Sequence, residues 1–138
     1  MPDRVRKVSY CYVLVPNRSG QGAAVLQALA EAGVNLLAYS GFPAGGGKAQ
    51  LDLVAEKLGA VRQVARRQGW RLSRNKKGFL VQGDDRVGAV NRHVAALAEA
   101  GINIIAADGV TAGQGRYGMI LWVRRKDYAR AARVLRAR

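Results

Sequence analysis

The chain has 138 residues, room for one ordinary domain or two very small ones, and 49% of it is apolar, so it can bury a core and is not a disordered segment. With one cysteine, Cys11, and one histidine, His93, it lacks the material for an internal disulfide or a Cys/His metal site. The net charge of +14, carried mostly by arginine, points toward acidic partners such as nucleic acid, with a solvated basic face as the competing reading.

The first apolar run, "VSYCYVLV" (8–15), alternates polar and aromatic positions and stops at Pro16-Asn17. That pattern is a strand rather than a signal peptide. No stretch approaches the ~18–20 apolar residues of a membrane span, so a cytoplasmic protein without membrane association is expected. A Gly-containing turn follows, then a helix from about Gly20 to Ala32, with Leu26 and Leu29 at helical spacing. Next come a strand "VNLLAYSGF", a Gly-rich hairpin "PAGGGK", a strand "AQLDLVAE", a helix over roughly 58–69 and a short strand "WRLSR" (70–74). The same order then restarts. "GFLVQG" (78–83) leads through a turn to a helix over 88–100 carrying Val90, Val94 and Leu97. "INIIAADGV", the hairpin "TAGQGR", "YGMILWVR" and a helix over 126–138 complete it.

The restart is a duplication. Shifted by 68 residues, "ALAEAGVNLLAYSG" (28–41) falls on "ALAEAGINIIAADG" (96–109), with nine of fourteen positions identical and three more exchanging Val, Leu and Ile. The register holds without a gap from residue 17 to about residue 67, so the period decides the fold. Each copy reads β-α-β-β-α-β, the ferredoxin-like arrangement, with both helices on one face of an antiparallel sheet. The expected fold is α+β with two such repeats, 1–75 and 76–138. Shifting "WRLSR" by 68 places it at the end of the chain, so the second repeat lacks its last strand. Its first strand, 78–83, would then be a bare edge, and proteins seldom leave one. Cover from residues 1–7, from "WRLSR" or from a second molecule is expected.

The strand-to-helix turns "PNRSGQG" (16–22) and "DDRVGAV" (84–90), each followed a dozen residues later by "EAGVNL" or "EAGINI", resemble a tandem pair of ACT domains. These are small regulatory modules that bind amino acids and similar effectors. The resemblance covers nearly the whole chain, and the pattern is similar to small stand-alone tandem ACT proteins without a catalytic domain. "NRSGQG" departs from the motif where Gly22 replaces the apolar Val90 of the other copy.

Gly33 and Gly101 follow a helix, where a positive φ is the usual need, and a Schellman-type stop would pair Val34 with Leu29 and Ile102 with Leu97. The turns at 17–20 and 85–88 expose the N–H groups of a helix N-terminus, which favour an anion such as an amino acid's carboxylate. Asn17, Ser19 and Asp85 suit either helix capping or an ammonium group, and the sequence leaves both open. The resemblance implies an effector held between this turn in one domain and the start of the second strand in its neighbour. That nominates Asn17, Arg18, Ser19 and Gly20 with Asn103 and Ile104, and Asp85, Arg86, Val87 and Gly88 with Asn35 and Leu36.

Other signals are weaker. "GQGAAV" (20–25) brushes a dinucleotide fingerprint but ends in Val25 and lacks the acidic partner for a ribose, so no cofactor is expected. Basic residues gather in 62–77 and 124–138, near the second helix of each repeat. Tyr10, Tyr12 and Phe79 lie on first strands, but the RNA-binding string of ferredoxin-like readers is absent. Mid-helix His93 reads as a surface or boundary residue, Cys11 as packed, and Asp52 as facing solvent or a partner. No catalytic set stands out. The expectation is a non-catalytic regulatory sensor of an amino-acid effector, working as a homodimer. The alternatives are a basic module for nucleic acid or an acidic protein, and a structural dimer without ligand.

Overall fold

The computed structural model describes residues 3–138. The elements are β1 (Arg4–Pro16), α1 (Gln21–Glu31), β2 (Leu36–Gly45), β3 (Lys48–Ala55), α2 (Leu58–Gln68), β4 (Lys76–Asp84), α3 (Ala89–Glu99), β5 (Ile104–Gly113), β6 (Arg116–Val123) and α4 (Tyr128–Leu135). The α+β fold with two ferredoxin-like repeats is therefore as the duplication implies, with β-α-β-β-α written twice. Contacts divide the chain into two compact units, Ser9–Lys76 and a second formed by residues 3–8 with Lys77–Arg138. No helix among the described residues is long and apolar enough to cross a membrane.

In the first unit, β3 lies between β2 and β1 and is antiparallel to both, with Leu53 opposite Tyr39 on one side and Cys11 on the other. Strand alternation sends Cys11, Val13, Leu51 and Leu53 to the helix side, where they bury Val25 and Leu29 of α1 and Val61 and Val64 of α2. Asp52 does not face solvent. It is 1% exposed, and Gln50 Nε2 donates to its Oδ1 at 2.9 Å. The segment 70–74 forms no full strand. It makes a single bridge, Val13 to Leu72. Beside it the Ser73 N–H donates to the Tyr12 carbonyl at 2.9 Å, while the Tyr12 N–H goes to the Ser73 hydroxyl, also at 2.9 Å.

In the second unit, β6 lies between β4 and β5, again antiparallel to both. Phe79, Val81, Met119 and Leu121 bury against Leu97 of α3 and Ala131 and Leu135 of α4. Strand β4 is not an edge, because β1 is its other neighbour. Val5 joins this unit's core. The cover expected for 78–83 is thus the start of the chain. Residues 3–8, placed with the first repeat by the sequence period, contact the second unit instead. A 13-residue β1 is longer than the first unit uses, and its first part lies beside β4 in the second unit. Charge hid this part in the sequence: "RVRK" looks polar, yet Val5 is buried and Arg4 is exposed.

Both first helices stop in the same way. Gly33 and Gly101 have φ of 74° and 71°. The N–H groups of Val34 and Ile102 reach the carbonyls of Leu29 and Leu97, each at 2.9 Å. This is the Schellman pattern, and much of the repeated motif is spent on it.

Candidate functional site

The site is built where β4 turns into α3. Gly88, with φ of 82°, opens the helix, and the Asp85 N–H is tied to the Gly115 carbonyl of the β5–β6 hairpin at 2.8 Å. The first unit repeats this: Gly20 has φ of 89°, and the Asn17 N–H reaches the Gly47 carbonyl at 2.9 Å. The N-cap residues of α1 and α3 are Gly20 and Gly88, which have no side chain to cap with. Asp85 accepts from Thr111 Oγ1 at 3.0 Å. Arg86 and Val87 are exposed, as are Arg18 and Ser19.

A groove of about 580 Å³ opens beside the 85–88 turn. Asp85, Arg86 and Gly88 form one wall, Val90 and Val94 of α3 another, and Gly109, Val110 and Thr111 of β5 a third, with Tyr117 among the lining residues. That is a common size for a small-molecule pocket, and its lining is apolar with a few polar groups at one end. Tyr117 hydrogen-bonds to Asp3 Oδ2 at 2.5 Å, and its hydroxyl is pushed up to about 12 by burial, then by Asp3. It is a neutral donor at any ordinary pH.

The corresponding space in the first unit is filled. Position 39 is tyrosine where the second repeat has Ala107, and position 22 is glycine where it has Val90. A Cβ on Gly22 would lie 3.2 Å from the Tyr39 hydroxyl, and one on Gly41 3.4 Å from it. Gly22 therefore makes room for Tyr39, which accounts for the departure of "NRSGQG" from the motif.

The nominated strand starts lie elsewhere. Asn35 and Asn103 are exposed, just past the helix-stop glycines. Ile104 pairs with Val123, whereas Gly113, at the other end of the ten-residue β5, pairs with Arg116 beside the turn. Within a unit, the turn and the strand start are thus at opposite ends of the sheet. Leu36 and Ala55 mark the same far end in the first unit. Sequence reasoning missed Gly109, Val110, Thr111 and Tyr117. The exchange of Gly22 and Tyr39 for Val90 and Ala107 was the available signal.

Beneath α3, Asp3 Oδ2 collects three donors: Tyr117, His93 Nε2 at 2.6 Å and Arg92 Nη2 at 2.7 Å. A carboxylate can only accept, so the His93 nitrogen carries the proton. His93 is 9% exposed, more buried than its mid-helix position suggested. Burial raises the Asp3 carboxyl, but the bonds from Tyr117, His93 and Arg92 outweigh it and hold the group at about 2.

No family model matches the chain, and no curated protein matches it. Solved structures do. Protein BT0572 from Bacteroides thetaiotaomicron superposes with a TM-score of 0.79 at 16% identity, over 97% of this chain and 88% of that one. The regulatory subunit of aspartate kinase from Thermus thermophilus gives 0.65 at 18% identity, over 99% and 95%. Its counterpart from Thermus flavus gives 0.60 at 21%, over 98% and 94%. At these identities the likeness is one of fold.

Proposed function

We propose that this protein is a non-catalytic regulatory chain that binds an amino-acid effector at the turn between β4 and α3. The open groove there supports the reading, set against a first-unit counterpart occupied by Tyr39. An effector carboxylate would face the first turn of α3, which opens on Gly88 and where N–H groups and the helix dipole favour negative charge. Its ammonium group would face Asp85, and its side chain would lie along Val90 and Val110. On this reading the Asn17–Gly20 turn is a weaker second site. Asn35, Leu36, Asn103 and Ile104 would serve the turn of a neighbouring repeat, brought by homodimerisation. The regulatory aspartate kinase subunits among the similar structures agree with such a role without naming the effector.

The test is a thermal-shift screen of the common amino acids at millimolar concentration. A true effector at a hundred times its Kd stabilises by about 2.7 kcal/mol, several degrees in Tm. Asp85→Asn is expected to cut that gain while leaving the unliganded Tm within about 1 °C, because the residue is exposed. A flat response to every amino acid would remove this reading.

A further inference from the structure

A second groove, of about 560 Å³, also belongs to the second unit, between α4, the start of β4 and the first part of β1. Five cations surround it: Lys7, Lys77, Arg133, Arg136 and Arg138. The other lining residues are Tyr128 and three alanines, so among the described residues lining it there is no acidic side chain. The alanines leave the hollow, and the long side chains ring it. All five cations are exposed. Folding gathers them from three separate stretches of chain, so the sequence blocks alone did not reveal the group. Arg138 is fixed by two backbone bonds to β1, its carbonyl accepting from Lys7 at 2.9 Å and its N–H donating to Val5 at 3.1 Å. Lys77 lies 5.4 Å from the centre of the Tyr128 ring.

Backbone conformation adds a separate observation. Helix α2 stops on Gly69, with φ of 78° and the Trp70 N–H bonded to Ala65. Helix α4 makes the same stop on Arg136, with φ of 55° and the Ala137 N–H bonded to Ala132. Glycine is the ordinary occupant of such a position, and arginine is disfavoured there. The chain uses glycine at one stop and a strained cation at the other, which faces the groove. A cation in the last turn of α4 suits the helix dipole, which accounts for Arg133 but not for Lys7 or Lys77.

We propose that this groove binds closely spaced phosphate groups. One carboxylate would leave most of the five charges unbalanced, whereas several phosphates in a small volume match them. Three of the five are arginines, whose planar forks fit phosphate oxygens in pairs. Such phosphates occur in a nucleotide-type polyphosphate and in a nucleic-acid backbone. The proposal is independent of the amino-acid site and survives that site's failure.

The probes are inorganic tripolyphosphate, followed by calorimetry, and a fluorescein-labelled oligothymidylate, followed by anisotropy. Each is titrated against the intact protein, the pair Lys77→Gln/Arg133→Gln, the single variant Arg136→Gly, and the control pair Arg66→Gln/Arg71→Gln on the first unit. The groove pair is expected to weaken a probe about tenfold and to lower the salt slope by about one per cation lost, with less than about twofold loss in the control. Loss for tripolyphosphate assigns the compact source, and loss for the oligonucleotide alone assigns the backbone. Arg136→Gly is expected to raise Tm and yet weaken binding, a combination that a merely structural arginine would not give. Equal losses in both pairs, no binding of either probe, or unchanged affinity in Arg136→Gly would overturn the proposal.

Discussion

Asp3 shows how one side chain can hold the end of a strand. Three donors meet one of its oxygens, while Oδ1 is buried without a hydrogen-bond partner. Space for the carboxylate exists only because residue 83 is glycine: a Cβ there would stand 2.0 Å from Oδ1. Because the folded value, about 2, is below the ordinary aspartate value of 3.8, ionised Asp3 stabilises the fold above pH 3.8, and the gain disappears as pH falls through 2. The size is on the order of 2 kcal/mol. Asp3→Asn should therefore lower stability in urea at pH 7 by about that amount, with the gap to wild type closing between pH 4 and pH 2. A gap that stays constant with pH would show that the carboxylate's charge is not what holds the strand. Cys11 illustrates the opposite environment. It is fully buried, and burial pushes its thiol up, against a smaller lowering by Arg62. Native protein should resist alkylation by a thiol reagent, and denatured protein should react at once. Fast labelling of the native state would contradict that packing. Asp3 was not legible in the sequence, since nothing in "PDRV" distinguishes an anchor from a solvated charge. Cys11 was, because it alternates within an apolar strand.

At the level of the element, the duplication is useful for where its copies disagree. Helix stops, hairpins and buried strands agree, and all of these were readable from period and glycine placement. Positions 22 and 39 differ from 90 and 107, and there the geometry changes from a filled space to a groove. The turn residues of the candidate site could be nominated because a helix N-terminus has a local signature. The β5 wall and Tyr117 were not, because which strand faces a turn depends on register, and register is set by the whole sheet. The difference between the copies can be transferred. Val90→Gly/Ala107→Tyr should fill the second-unit groove with tyrosine, abolish stabilisation by the effector found in the thermal screen, and leave the far-ultraviolet spectrum unchanged. Retained effector binding in this variant would place the effector elsewhere. The shared helix stop makes a simpler prediction. Gly101→Ala meets no steric neighbour but forces alanine to φ of 71°, so it should cost about 1 kcal/mol in urea unfolding. An unchanged midpoint would mean that the stop relaxes to another conformation.

For the molecule as a whole, the boundary of the sequence repeat and the boundary of contact do not coincide. The period places the break near residue 76, whereas contact groups Ser9–Lys76 in one unit and residues 3–8 with Lys77–Arg138 in the other. The need to cover 78–83 was legible from the order of the elements. Which segment supplies the cover was not, because "RVRK" carries no strand period strong enough to compete with its charge. One consequence is that the second repeat is not self-sufficient. A fragment of residues 76–138 would expose β4 along its length and lose Val5 from its core and Asp3 from beneath α3. Burying Val5 alone contributes roughly 2 kcal/mol, and the Asp3 bonds add a similar amount, against a total stability of only ~5–15 kcal/mol for a small domain. The isolated fragment should accordingly be unfolded or self-associated through the open edge, by circular dichroism and light scattering. Adding a peptide of residues 1–16 should restore a folded spectrum in proportion to its concentration, and the same peptide carrying Val5→Asp should not. If the fragment alone is folded and monomeric, the first part of β1 is an accessory to the second repeat and not its missing strand.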